Sequence, residues 1–333
     1  MMRYLITGGA GFIGSNFVRH VLMERPDVEV VNLDLLTYAG HLVNLEGVLD
    51  HPRYRFVQGD ICDGALVGEV MKGVDVVFHL AAESHVDRSI VSDQPFARTN
   101  VVGTATLLAG ALEAGVSRFV QVSTDEVYGE LPWVDPAGPD AASAPRFSED
   151  SPIAPRSPYA ATKAAADLMA LAYYATHQLD VVVTRSSNNY GPYQFPEKLI
   201  PLVISRALAE QQIPVYGDGL NVRDWIHVSD HCVGLLYAAE EGLAGRVYNF
   251  GGESELTNLD VVRRILAALQ KHEILLEFVT DRAGHDRRYA IDFTRATDEL
   301  GWMPAIDFEE GLRRTIDWYQ GSSPWITQMA TER

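Results

Sequence analysis

The run Thr7-Gly8-Gly9-Ala10-Gly11-Phe12-Ile13-Gly14 constrains this chain more than any other segment. It follows the apolar stretch Tyr4–Thr7 without a break and opens a helical pattern over Ile13–Glu24. Gly8, Gly11 and Gly14 fit Gly-x-x-Gly-x-x-Gly, and Gly9, Gly11 and Gly14 fit Gly-x-Gly-x-x-Gly. A strand that reverses this tightly into a helix is the dinucleotide turn of an open parallel sheet. Its glycines permit the bend, a close backbone approach to a pyrophosphate and close helix–strand packing. The helix start offers free N–H groups and the positive end of its dipole to phosphates. Asp34 ends the next apolar run 20 residues after Gly14, where a carboxylate accepts hydrogen bonds from an adenosine ribose. Its charge would repel a 2′-phosphate, and Leu35 and Leu36 add no cation to offset it, so NAD is expected over NADP.

The rest of the chain repeats the alternation. Glu29–Leu33, Arg55–Gln58, Val74–Leu80, Phe119–Ser123 and Val181–Arg185 are short, mostly β-branched and nearly continuous, as strands buried on both faces are. Helical patterns over Ala65–Met71, Pro95–Ala114 and Pro158–His177 separate them. The expected fold class is α/β, a Rossmann-like doubly wound parallel sheet with a smaller mixed α/β substrate-binding lobe. Residues 1–188 plus about 225–250 form the NAD-binding part. Residues 189–224 plus 251–320 form the lobe, with helices near Leu199–Gln211, Asn258–Lys271 and Phe308–Tyr319, and 321–333 is a loosely held tail. Leu131–Asp150, rich in Pro, Ala, Asp and Ser, reads as a loop or flap near the site. Apolar residues on more than one face of the segments near 95–114 and 158–177 suggest a homodimer through these helices.

A net charge of −18 argues against nucleic acid and acidic membrane as partners. An anionic ligand would need locally gathered cations. Cys62 and Cys232 fit neither a disulfide nor a metal pattern, which suits a reducing cytoplasm, and His227 and His231 read as structural, so no metal is expected. The N-terminus enters a strand pattern at once, leaving no room for a signal peptide, and no apolar run approaches membrane-helix length.

The chemistry should sit at strand ends. Asp125 and Glu126 follow the run Phe119–Thr124, and ligands of such sheets bind at the carboxyl ends of strands. Tyr159 and Lys163 are one helical turn apart on one face, where an ammonium would lower the tyrosine pKa and make a general base for a sugar hydroxyl. Neighbouring carboxyls cannot both ionise freely, so Asp125 and Glu126 sharing one proton supply an acid and a base.

These residues resemble the extended short-chain dehydrogenase/reductase family. Five segments, Leu33–Gly40, Ala81–Ser89, Val122–Gly129, Ser187–Pro201 and Gly284–Ala290, resemble its dTDP-glucose 4,6-dehydratase branch over nearly the whole chain, to about Tyr319. The sister epimerases usually lack ionisable residues at the positions of Asp125 and Glu126. The resemblance implies that Tyr159 takes the C4 hydroxyl proton of dTDP-glucose with help from Thr124, that Glu126 removes the C5 proton, and that Asp125 protonates the departing C6 hydroxyl. Lys163 also bonds the nicotinamide ribose. The implied NAD contacts are Gly8, Gly11, Phe12, Ile13, Gly14, Asp34, Leu35, Thr37, Asp60, Ile61, Leu80, Ala81, Ala82, Ser84, Thr99, Tyr159, Lys163 and Asn189, with Asp60 and Ile61 at the adenine. His85, Thr124 and Asn188 approach the sugar or phosphates, Arg223, Arg282 and His285 the diphosphate, and Lys198, Leu199, Pro214, Tyr216 and Asn258 the nucleotide. Of Arg287 and Arg288, one is expected to be a surface charge. Glu253-Ser254 stand where the family commonly shows His-Asn, and Ala283 where Pro is frequent, which touches base and sugar specificity. The rival readings are a UDP-glucose dehydratase, a nucleotide-sugar 4-epimerase and, from another class, a catalytically silent NAD-binding sensor.

Overall fold

The computed structural model describes residues 1–322 together with Trp325, Ile326, Gln328 and Met329. Seven strands, β1 (Met2–Thr7), β2 (Val28–Asp34), β3 (Tyr54–Gln58), β4 (Val76–His79), β5 (Arg118–Thr124), β6 (Val181–Ser186) and, far along the chain, Val247–Phe250, form one sheet. Every pairing in it is parallel, and its order is 3-2-1-4-5-6 with Val247–Phe250 at the far edge. The order reverses between β1 and β4, which opens a crevice beyond their carboxyl ends. This is a Rossmann-like doubly wound α/β fold.

One face of the sheet is covered by α1 (Phe12–Glu24) and by Val228–Glu240, whose Val228, Leu235 and Leu236 join Phe17, Val18 and Val21 in one core. The other is covered by α2 (Gly64–Val70), by the segment around Thr104–Ala114 and by Pro158–His177, through Leu107, Leu108, Ala111 and Ala170. After the separate short helix α3 (Val86–Val91), the helix expected over 95–114 begins with α4 (Gln94–Phe96), passes through a π-turned stretch at Ala97–Gly103, and continues as α5 (Thr104–Ala114). α6 (Pro158–His177) has the expected bounds because both its ends are punctuated. Ser157 accepts the Ala160 N–H at 3.1 Å, proline occupies the first turn, and Gln178 closes the helix in the left-handed region at φ 58°.

A second layer carries β7 (Asn188–Tyr190), β8 (Ile213–Tyr216), β9 (Val222–His227), β11 (Glu255–Thr257) and β12 (Leu276–Val279), while β10 (Val247–Phe250) is the edge strand of the large sheet named above. β9 lies between β7 and β11, and β12 pairs with β8. Helices α7 (Leu199–Leu208), α8 (Val228–Glu240), α9 (Asn258–Ala268), α10 (Thr294–Leu300) and α11 (Phe308–Gly321) complete the chain. Tyr190, Trp225, Val261, Ile265 and Phe308 pack in this layer's core.

One expectation needs correction. Trp325 and Met329 belong to that same core, and the Trp325 indole N–H donates to Asn44 Oδ1 at 2.7 Å, so these residues of the supposed loose tail are firmly packed. The last four residues, 330–333, lie outside the described residues. The 131–150 segment is largely irregular but pinned at both ends: Leu131 N–H donates to Arg288 O at 3.1 Å, and Phe147 bridges Ile291.

Candidate active site

A cavity of about 780 Å³ opens at the carboxyl ends of the parallel strands, within the size range of small-molecule and cofactor sites. Gly8 sits at φ +74°, where a Cβ would lie 2.6 Å from the Ala81 nitrogen, and a Cβ on Gly14 would lie 2.1 Å from Gly8 O. Nothing larger fits the turn. Gly11 precedes α1 with no side-chain cap and no acid in the first turn, so the first N–H groups of the helix are left for an anion. Asp34 takes the Ala10 N–H on Oδ2 at 2.9 Å and the Leu36 N–H on Oδ1 at 2.8 Å, which fixes its carboxylate at the cavity wall. Burial pushes its pKa up, and those two N–H bonds oppose the shift. These residues fit a dinucleotide.

Gly8, Gly11, Phe12, Ile13, Gly14, Asp34, Leu35, Thr37, Asp60, Ile61, Leu80, Ala81, Ala82, Ser84, Thr99, Tyr159 and Lys163 all line this cavity. Asn189 does not. Its Nδ2 is bound to Ser186 Oγ and Ser187 O, both at 3.0 Å, and its Oδ1 pairs with His231 Nδ1 at 2.9 Å, so it braces the wall from behind. The sequence reading missed Glu83, Arg98, Gln194, Phe195 and Glu197, which also line the cavity. Arg98 holds Asp60 at 2.7 Å. Four of the five lay inside or beside segments already singled out, and only Arg98, on the π-turned stretch, carried no signal.

At the end of β5 the Thr124 hydroxyl oxygen accepts the Glu126 N–H at 3.2 Å and donates to Asp125 Oδ1 at 3.3 Å, capping the turn Asp125–Tyr128. Asp125 is 2% exposed and its Oδ2 has no hydrogen-bond partner. Burial pushes Asp125 well above the usual carboxylate range, and the charges of Glu126 and Asp224 push the same way. Burial also raises Glu126, against the pull of Lys198, Arg282 and Arg223. Burial thus raises both carboxyls, Asp125 the more strongly, and the charge of Glu126 adds to the shift of Asp125. Tyr159 is brought by α6 close enough to this turn for the charges of Glu126 and Asp125 to raise its pKa further, on top of burial.

The expected effect of Lys163 on Tyr159 is not realised here. Burial drives the phenol well above its ordinary pKa, and Glu126 and Asp125 add to that. The Lys163 ammonium is instead committed to Val122 O at 2.7 Å, and burial lowers its pKa to about 8.

Basic groups gather on the far side of Glu126. Lys198 donates to Ser84 O at 3.1 Å. Arg223 is 5% exposed, donates to Asp286 O at 2.9 Å and lies 4.4 Å over the Tyr289 ring. Arg282 pairs with Asp87 at 3.0 Å, and His285 with Asp281 at 2.6 Å. His85 caps α3 and faces Glu197 at 3.6 Å. Asn188, on β7, keeps a buried Oδ1 without a partner. Leu199 and Asn258 begin α7 and α9, Pro214 lies on β8, and Tyr216 at its end is 42% exposed with its ring 6.3 Å from His285. Of these predicted substrate contacts only Lys198 lines the main cavity. Arg287 pairs with Asp218 at the surface, whereas Arg288 is fully buried against Glu255 at 2.7 Å. His227 caps α8 through Ser229 N–H.

A glycine turn with free helix N–H groups, a carboxylate at the end of β2 and a Tyr-x-x-x-Lys pair, all lining one cavity, are the features of an extended short-chain dehydrogenase/reductase. A family model for GDP-mannose 4,6 dehydratase matches residues 5–315. The chain is 53% identical over 320 residues to the low-salt glycan biosynthesis protein Agl12 of Haloferax volcanii, covering 96% of this chain and 99% of that one. It is 53% identical over 323 residues to a dTDP-glucose 4,6-dehydratase of Streptomyces griseus, covering 96% and 95%. Among solved structures, DesIV, a dTDP-glucose 4,6-dehydratase of Streptomyces venezuelae with NAD bound, superposes with a TM-score of 0.93 at 49% identity over 98% of this chain and 100% of that one. The chain belongs to the GDP-mannose 4,6 dehydratase family and, within it, to the dTDP-glucose 4,6-dehydratase branch.

Proposed function

We propose that this chain is an NAD-dependent hydro-lyase that converts dTDP-glucose to dTDP-4-keto-6-deoxyglucose. The observation that carries the reading is the closeness of Asp125 and Glu126, at the end of β5, to Tyr159. An epimerase needs only Thr124, Tyr159 and Lys163, and a silent NAD sensor needs none of the acids. Bound NAD would supply a hydride acceptor for C4 and a hydride donor for C6. Gly8, Gly11 and Gly14 would cradle its pyrophosphate, Asp34 would hold its adenosine ribose, and Lys163 its nicotinamide ribose.

Tyr159 Oη takes the C4 hydroxyl proton, with the Thr124 hydroxyl hydrogen-bonded to the same oxygen. The resulting 4-keto group acidifies the C5 proton, which Glu126 removes. Asp125, kept protonated by burial and by its neighbours Glu126 and Asp224, gives its proton to the departing C6 hydroxyl, and water leaves. Arg223, Arg282 and Lys198 offset the diphosphate charge in a protein that is otherwise strongly acidic. His85, Asn188 and His285 approach the sugar or diphosphate, while Leu199, Pro214, Tyr216 and Asn258 frame the pyrimidine.

A homodimer through α5 and α6 agrees with the exposure of Val102, Leu112 and Leu168 on that side. No helix among the described residues is long and apolar enough to cross a membrane. The two free cysteines, Cys62 and Cys232, suit the reducing cytoplasm we propose as its location. Separate incubations with dTDP-glucose, UDP-glucose and GDP-mannose in deuterated water test the reading. The expected result is loss of one water and one deuterium gained at C5 from dTDP-glucose. An isobaric epimer, or turnover of GDP-mannose alone, would overturn it.

A further inference from the structure

Below the cavity floor lies a fully buried ion pair that the reaction above does not use. Arg185 Nε donates to Asp167 Oδ2 at 2.9 Å, with side-chain exposures of 3% and 0%. Asp167 is one turn beyond Lys163 on α6, on the same buried face. Arg185, on β6, stands in register with Ser123 on β5, next to the Val122 whose carbonyl receives Lys163 Nζ. Lys163 and Ser123 are the other polar neighbours of the Asp167 carboxylate. The guanidinium also lies 4.8 Å over the Tyr128 ring, whose hydroxyl donates to Asn249 Oδ1 at 2.8 Å. The order of charges is therefore cation, anion, cation, from the cavity wall inward.

We propose that Asp167 is a positioning residue for Lys163, and that Arg185 keeps it ionised for that task. An ammonium as buried as Lys163 tends to lose its proton, and a nearby anion opposes the loss. An anion as buried as Asp167 tends to gain a proton, and burial does raise its pKa. The permanent charge of Arg185 opposes that gain. Titratable groups around this end of α6 include Asp167 and Tyr159 on the helix, His79 on β4, Asp125, Glu126 and Tyr128 in the turn after β5, and Arg185 on β6. His79 stays neutral, since burial lowers its pKa to about 3. The charge of Asp167, one turn beyond Lys163, opposes the burial that lowers the Lys163 pKa to about 8. A buried pair that merely tied α6 to β6 would be weak evidence of stability and would leave the charge of Lys163 unchanged.

This inference rests on the proposed role of Lys163, and its test separates the two. The chain has four lysines, Lys72, Lys163, Lys198 and Lys271, so a carbon-13 spectrum labelled at lysine Cε contains four signals, assignable by single substitutions. In Asp167→Asn the Lys163 midpoint falls by one pH unit or more, a tenfold or greater loss of ammonium above the midpoint, while that of Lys198 stays in place. Asp167→Glu restores it. The alkaline limb of single-turnover C4 oxidation moves to lower pH by the same interval in Asp167→Asn.

Asp167→Asn strands a buried guanidinium and risks misfolding. Asp167→Asn combined with Arg185→Gln strands no charge and shows the same fall. A Lys163 midpoint unchanged in either folded variant overturns the proposal, whatever the enzyme does to sugars. An absence of dehydration with the midpoint shifted overturns the assigned reaction and leaves the pair's role standing.

Discussion

Lys163 Nζ donates to the carbonyl of Val122 at 2.7 Å rather than relieving the phenol of Tyr159, one turn before it on α6. The protein alone therefore holds Tyr159 as a neutral phenol, with burial and the charges of Glu126 and Asp125 all raising its pKa. A general base needs a proton affinity near the working pH, so cofactor and substrate binding must bring the phenol down. Tyr159→Phe is expected to remove hydride transfer, with reduced-nicotinamide absorbance in a single turnover down at least about a thousandfold. Normal absorbance would assign the C4 proton to another group.

Glu126 lies between the phenol and the cations Lys198, Arg282 and Arg223, which favour its ionised form against burial. Glu126→Gln keeps the shape and removes the base. The variant should oxidise C4, accumulate reduced cofactor and fail to exchange the C5 hydrogen with deuterated solvent. Exchange at the wild-type rate would remove Glu126 from the C5 step.

Asp125 faces the opposite environment. Burial, Glu126 and Asp224 all favour its protonated form, and Thr124 and Arg223 oppose them more weakly. Asp125→Asn should slow water loss by about a hundredfold or more while leaving oxidation within a few-fold. The ratio of reduced cofactor to product during the first turnover measures the split. Equal slowing of both steps would count against the acid role.

The parts of this fold that were legible are those where one physical signal dominates. β1, β2, β5 and β6 are largely buried on both faces, so apolar residues run through them with little alternation. α6 carries Ser157, a proline in the first turn and a left-handed exit at Gln178. The second layer lacked such signals because β7 and β11 have three residues each and derive their pairing from β9, which is distant in sequence. Arg288 could not be read as buried, since its carboxylate partner Glu255 lies 33 residues away. Asn189 was read as a ligand, yet it spends its amide on Ser186, Ser187 and His231. The supposed tail reads as polar punctuation around Trp325, but that indole finds Asn44 on the other side of the sequence. Local pattern shows what a residue prefers, and only the assembled chain shows which distant partner it meets.

The last prediction concerns stability and follows from buried histidines. His79 is enclosed by β4 and bonded to Thr7 Oγ1 at 2.8 Å and Thr104 Oγ1 at 2.9 Å, and burial lowers its pKa from 6.5 to about 3. His231 is lowered to about 3 for the same reason. In the unfolded chain both would protonate near pH 6.5, so unfolding takes up protons below that value. Their contribution to stability is complete above pH 6.5 and is lost as pH falls toward 3. Each site then removes about 1.4 kcal/mol per pH unit, or roughly 2 kcal/mol between pH 6.5 and 5. Buried carboxyls with raised pKa values, Asp125 and Asp167 among them, act in the opposite sense, so the total slope mixes the two. The informative quantity is the difference between wild type and His79→Gln, whose side chain cannot take up the proton. Denaturant unfolding at pH 7.5 and 5.0 should show the variant losing about 2 kcal/mol less than wild type over that interval. Equal losses would mean that His79 is already charged in the folded protein, and that the two threonine hydroxyls accept from it rather than share a neutral ring.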